Sequence, residues 1–200
     1  MKSKRSNLIA FLTQKGGVAT YSDLMEAGFH KRTLRSFLHS GKIQKIDRAL
    51  YKLSDGPTSS NPDLVTVSIK APQAVICLVS ALAFHEATDE IPRHIHLAIP
   101  RGKHASRIKY PPVHFYRFAP EVWKMGIEEH KIEGHSIRVY NLAKTVADCF
   151  KFRNKIGIDI ARAALKAAIT EKQVSPKEIM RYAKLCRVTK FIKPLLETML

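Results

Sequence analysis

Acidic side chains are scarce in this chain: 17 Asp and Glu stand against 34 Lys and Arg, leaving a formal net charge of +17 over 200 residues. That excess goes beyond what solubility needs and points to a polyanionic partner, either nucleic acid or an anionic membrane surface. Long hydrophobic runs are also missing. None approaches the ~20 residues that a spanning helix requires, which weakens the membrane option. The basic start, residues 1–7, is followed only by Leu8, Ile9, Phe11 and Leu12, a cluster suited to an amphipathic helix rather than a signal peptide. Cysteine is rare, and Cys77, Cys149 and Cys186 are odd in number and widely spaced. They form no metal or redox motif and favour a reducing, cytoplasmic setting. No glycine-rich phosphate loop occurs, and no serine or cysteine stands in a recognisable nucleophile context. We therefore expect no enzyme, no cofactor and no resident metal. Internal repeats and low-complexity tracts are absent too.

What is present is enough apolar content, 45%, for one domain or two small ones with a real core. The most informative stretch is Ser22–His39, which reads as two short helices hinged at Gly28. At about 100° per residue, Arg32, Arg35, Ser36 and His39 fall at i, i+3, i+4 and i+7 on one helical face, opposite Leu34, Phe37 and Leu38. A short basic helix held against a preceding one by an apolar seam is how a helix-turn-helix offers a recognition helix to the major groove. Upstream, Leu8, Ile9 and Leu12 predict the inward stripe of a first helix ending at Gly16–Gly17. Val18–Thr20 is expected as a brief extended segment. Thr20 or Ser22 can cap the second helix, with Leu24 and Met25 inward. Phe29 and Leu34 have the spacing of a hydrophobic staple across a cap at His30.

After Gly41, the segment Lys42–Leu53 predicts two short strands around an Asp47–Arg48–Ala49 turn, the wing of a winged helix. Residues 1–53 hold eleven Lys and Arg against three acids, so about a quarter of the chain carries +8 of the +17. The ordinary fate of such charge is a solvated face. Here hinge, helix polarity and wing point the same way. Within a DNA-binding reading, Arg32, Arg35, Ser36 and His39 are candidates for base edges, since arginine can grip guanine O6 and N7 bidentately. Lys31, Thr33, Lys45 and Arg48 suit phosphates, which position the protein without reading sequence.

Residues 54–63 are turn formers and mark a linker. Beyond it a mixed α/β pattern is expected over 64–200. Ala74–Phe84 reads as a buried helix. Ile95, Leu97 and Ile99 alternate as in a half-buried strand, Val113–Phe118 is a second strand, and Ile127–Ile132 with Ser136–Tyr140 form a hairpin. Asn141 predicts the cap of a helix with Leu142, Val146, Cys149 and Phe150 on one face. Asp159 predicts the cap of an alanine-rich helix through Ile169. Ser175–Pro176–Lys177–Glu178 has the pattern of a capping box with proline at N1. Arg181, Lys184, Arg187, Lys190 and Lys193 recur every three residues. They form either a solvated face or a basic stripe for DNA or an acidic protein. Val188–Thr189 and Pro194 argue against one continuous helix. The fold class expected is α+β, a winged helix-turn-helix over 1–53 followed by a mixed α/β domain that ends in helices.

Catalytic constellations are weak. His85–Glu86 matches a zinc-protease helix only in that pair, because i+4 is Asp89 rather than histidine. His94 and His96 share a strand face with no third ligand implied. Glu129–His130–Lys131, with Glu121 upstream, loosely matches the acid-x-lysine pattern of metal-dependent nucleases and supplies the alternative from the enzyme class. A further alternative is a plain regulator whose larger domain senses a ligand or dimerises.

The order of these parts resembles the AbiEi-type antitoxins of type IV (abortive-infection) toxin–antitoxin systems and their transcriptional-regulator relatives. The resemblance rests on Ile9–Gln14, Tyr21–Gly28, Thr33–Gly41 and Ile43–Leu53. Further along it rests on Ser80–Leu82, Ile91–Pro92, Ile95–Pro100, Gly134–Tyr140 and Lys144–Asp148. It implies an amino-terminal winged helix that binds inverted repeats upstream of its own operon and represses it. It also implies a larger domain that counters a nucleotidyltransferase-like toxin encoded alongside. Double-stranded DNA and such a toxin are then the expected partners, with residues 30–40 as the DNA-reading helix and 42–53 as the wing. Wing turns in such proteins commonly place glycine after the arginine. Here Ala49 stands there, and its Cβ disfavours positive φ, so a different turn type is expected.

Overall fold

A computed structural model describes residues 3–55, 61–132 and 134–199. The elements run in the order α1 (Ser3–Gln14), β1 (Val18–Thr20), α2 (Tyr21–Glu26), α3 (Lys31–His39), β2 (Ile43–Asp47), β3 (Leu50–Leu53), α4 (Pro62–Lys70), β4 (Val75–Ile76), α5 (Leu78–Phe84) and β5 (Ile95–Pro100). They continue with β6 (Val113–Phe118), α6 (Pro120–Lys124), β7 (Ile127–Ile132), β8 (His135–Tyr140), α7 (Leu142–Lys151), α8 (Arg153–Ile156), α9 (Ile158–Thr170), α10 (Pro176–Cys186) and α11 (Thr189–Glu197). The fold is α+β. The chain divides into two compact units, one of residues 1–69 with 131–136, the other of 70–130 with 137–200.

In the first unit, α1 to α3 pack with a three-stranded antiparallel sheet of order β1-β3-β2. Its core gathers Leu8, Leu12, Ala19, Leu24, Leu34, Phe37, Ile43, Tyr51 and Leu53. Ile9, expected inward, is 37% exposed. Phe11 fills the stripe instead and meets Phe29 with ring centroids 5.5 Å apart. Thr20 caps α2 in a reciprocal box: its hydroxyl accepts from the Asp23 N–H at 3.0 Å, and the Asp23 carboxylate accepts from the Thr20 N–H at 2.8 Å. Burial opposes ionisation of Asp23, yet the hydrogen bonds from Thr20 outweigh it and hold the carboxyl below its ordinary range. Pro62 and Asp63, expected in the linker, open α4, which groups with this unit. Linker residues 56–60 lie outside the described residues.

The second unit is built on a five-stranded mixed sheet of order β6-β5-β4-β8-β7. Ala74–Phe84 is not one helix. Val75–Ile76 forms the central strand β4, antiparallel to β5 and parallel to β8, and only from Leu78 does the chain turn helical. β5 is buried on both faces at Leu97, Ala98 and Ile99 rather than half-buried, because neighbouring elements cover both sides of the sheet. The hairpin forms as β7 and β8; its turn residue Glu133 lies outside the described residues.

Asn141 caps α7 through a 2.8 Å bond from the Lys144 N–H, as expected. The single apolar face does not survive, since every residue from Leu142 to Phe150 is buried, Lys144, Thr145 and Asp148 included. α7 packs against α5, α9, α10 and α11, so it has no solvent side. Asp159 does not cap α9. Gly157, at φ 97°, takes that position, and Asp159 lies inside the first turn, exposed. Ser175 does precede Pro176 at N1, but its side chain makes no capping bond, and Glu178 pairs with Arg181 at 3.6 Å instead. The basic recurrence near the end is interrupted at Arg187 and Val188, where Arg187 adopts the left-handed conformation; Pro194 sits inside α11.

Candidate nucleic-acid interface

α3 is the element that organises this site. Gly28, at φ 80°, reverses the chain after α2 in a conformation that a Cβ would strain. His30 opens α3 without a side-chain cap. Leu34 and Phe37 enter the core, 3% and 4% exposed, and Leu38 packs half-buried beside them. Arg32, Arg35, Ser36 and His39 are all exposed on the opposite side, with Lys31 exposed and Thr33 half-buried. Periodicity alone predicts this division, because a nine-residue helix with one apolar stripe can bury only that stripe.

The second part is the β2–β3 hairpin. Its register runs from Ile43 opposite Leu53 to Asp47 opposite Leu50, with an irregularity between Lys45 and Asp47 that leaves Ile46 outward. Lys45 and Arg48 are exposed. The turn differs from expectation in an informative way. Ala49 adopts φ 58°, the left-handed conformation that glycine would take without strain. Two hydrogen bonds hold it there: the Arg48 N–H donates to Asp47 Oδ1 at 2.6 Å, and the Tyr21 N–H donates to the Ala49 carbonyl at 2.7 Å. The turn is thereby tied to the start of α2.

Among the described residues, none of Lys31, Arg32, Arg35, Lys45 and Arg48 has a carboxylate within 4 Å, whereas Arg162, Lys172, Arg181 and Lys193 in the second unit do. These exposed cations are left for an external anion. Residues 7–53 match a family model described as a transcriptional regulator, AbiEi antitoxin. No curated protein matches the chain. The AbiEi-matched segment spans α1 from Asn7 through the end of β3, so it contains both α3 and the hairpin.

One feature of this segment was not expected. Lys31, Leu34, Arg35 and Leu38 form a second i, i+3, i+4, i+7 stripe that shares Arg35 with the first. They line a 290 Å³ cleft together with Tyr21 and Tyr51. The stripe was visible in the spacing; the two tyrosines were not, because β1–β3 pairing and the α2 turn bring them there.

The nuclease alternative finds no support. Glu121, Glu129 and Lys131 are exposed, and among the described residues no group of three His, Cys, Asp or Glu is placed to hold a metal ion. His85 is engaged with the Tyr140 carbonyl at 2.8 Å, and His96 packs edge-on against Tyr116. The three cysteines are free and buried. Burial, reinforced by the Asp148 charge, raises all three thiols, Cys186 to about 12. At neutral pH they remain unreactive thiols. Among the described residues, no helix is long and apolar enough to cross a membrane.

Proposed function

We propose that this chain is a sequence-specific DNA-binding repressor that acts as the antitoxin of a type IV toxin–antitoxin pair and regulates its own operon through inverted repeats. In this reading residues 1–53 are a winged helix-turn-helix, 54–61 a linker that ends where α4 begins, and the α/β portion built on the five-stranded sheet is antitoxin-like. The observation that carries it is α3: four polar side chains, two of them unpaired arginines, stand outward while Leu34 and Phe37 anchor the helix beneath. Rigid anchorage matters because a base-reading helix must hold its side chains in register with the groove floor. Arg32, Arg35, Ser36 and His39 read base edges; Lys31, Thr33, Lys45 and Arg48 meet phosphates. The antitoxin role is supported by the family match over residues 7–53, and a nucleotidyltransferase-like toxin is its expected partner.

Mobility shifts on duplex DNA from immediately upstream of the reading frame test the DNA-binding role. Affinity should fall roughly 10³-fold or more between 50 and 200 mM salt if about six phosphates are neutralised. Arg32→Ala and Arg35→Ala should each narrow the preference for that duplex over unrelated DNA. Variants that bind with unchanged preference would overturn the assigned face. Co-expression with the product of the adjacent reading frame tests the antitoxin role: growth arrest relieved by this chain supports it, and an adjacent product that is harmless alone removes it.

A further inference from the structure

The geometry points to a phosphate seat beside the recognition face: the cleft between α3 and β3 receives a DNA backbone phosphate, held by Tyr21 and Tyr51 together with Lys31. This rests on the DNA-binding reading above and adds two residues and a chemical task to it. The cleft is lined by Tyr21, Lys31, Leu34, Arg35, Leu38 and Tyr51. Leu34 and Leu38 supply an apolar floor, and every polar side chain in the lining can donate a hydrogen bond. No carboxylate is among them. Tyr51 has its ring in the core, only 8% exposed, and Tyr21 is half-buried. Neither hydroxyl has a hydrogen-bond partner among the described residues, yet neither is sealed from solvent. A phenol on a rigidly packed ring that opens onto a cleft is an oriented, unspent donor. Two such donors beside the unpaired Lys31 ammonium match a group with several acceptor oxygens and a negative charge.

Base edges do not fit this lining as well. In the major groove, which α3 would enter, each base pair mixes donors and acceptors, whereas a phosphodiester offers acceptors only. The position agrees as well. The cleft flanks the outward face of α3 by one stripe, and the Tyr21 N–H also fixes the Ala49 turn. One seated phosphate would therefore set α3 and the hairpin against the same DNA strand.

The test uses the full chain with two probes, the upstream duplex and an unrelated duplex of equal length. Tyr21→Phe and Tyr51→Phe keep the rings and remove only the donors, and thermal melts of each variant verify that folding is intact. Each should weaken binding roughly tenfold on both duplexes alike. The slope of log affinity against log salt should not change, because a neutral phenol releases no counterion. Lys31→Gln should weaken both duplexes and flatten that slope by about 0.9. Tyrosine variants that bind both duplexes as tightly as wild type overturn the seat. So do variants that weaken only the upstream duplex, which would make the phenols base readers. Failure of the wild-type chain to bind either duplex sinks the DNA reading itself. Wild-type binding with unaffected tyrosine variants sinks the seat alone.

Discussion

The two compact units handle charge in opposite ways. In the first, the ends of α3 are Lys31 and His39, its cations face outward, and its core is apolar. In the second, a lysine and an aspartate lie fully buried at the centre of α7. Lys144 Nζ donates to Asp148 Oδ2 and stands 4.2 Å from the Tyr140 ring centroid and 4.9 Å from that of Phe118. The Cys186 thiol donates to the other carboxylate oxygen at 3.2 Å. A helix covered on one side sorts its residues by period; a helix covered on all sides needs partners for whatever polar groups it carries. The first arrangement leaves charge available to a ligand. The second spends it internally, where it narrows the ways in which α7, α10 and the sheet can pack.

Removing one partner of the buried pair is the sharpest way to break this contrast. Asp148→Ala should cost about 3–5 kcal/mol, because an uncompensated ammonium is left in the core. Lys144→Met with Asp148→Leu should recover most of that loss in urea denaturation. A single variant as stable as the double would show that water reaches the pair. Next comes a contrast within α3. Leu34→Ala should destabilise by about 2–5 kcal/mol, while Arg35→Ala, one residue on, should shift stability by no more than about 0.5 kcal/mol and weaken specific DNA binding by about 1–3 kcal/mol. Equal stability losses at the two positions would contradict the assigned faces.

A smaller effect concerns His96, which burial, helped by His114 and His94, pulls from an ordinary 6.5 to about 4. The unfolded chain therefore takes up that proton first as pH falls. The stabilisation is fully present above about 6.5 and is lost as the pH approaches 4. The melting midpoint of wild type should drop further than that of His96→Phe between about pH 7.5 and pH 4.5; parallel drops would exclude His96 as a contributor. The smallest effect is expected at the turn between β2 and β3. Ala49→Gly should raise stability by about 1 kcal/mol by relieving the left-handed alanine, visible as a higher melting midpoint.

Much of the first unit was readable from residue order. Leu34 and Phe37 against Arg32 and Arg35, and Gly28 between two helices, are signals carried within a few residues; of the two caps offered for α2, Thr20 and Ser22, the structure uses Thr20, boxed with Asp23. Ile9 shows where even that fails, since Phe11 was equally suited to the inward stripe and only packing chose between the two. In the second unit the signals were longer-ranged. Val75–Ile76 became a strand because β5 and β8 were there to pair with it. Asp159 yielded the cap to Gly157, and Ser175 kept its position without its expected bond. Tyr21 and Tyr51, thirty residues apart in the chain, share a cleft only once β3 lies beside β1.

Residue order by itself determined the hinge, the two-sided character of α3, the hairpin that follows it and the strong positive charge, because each depends on composition or on spacing within one or two turns of chain. Tertiary structure alone decided that α7 has no outer face, that Lys144 and Asp148 satisfy one another, and that two tyrosines line one cleft with Lys31 and Arg35 of α3. Those outcomes depend on which elements cover which surfaces, and burial is a property of the neighbours rather than of the segment.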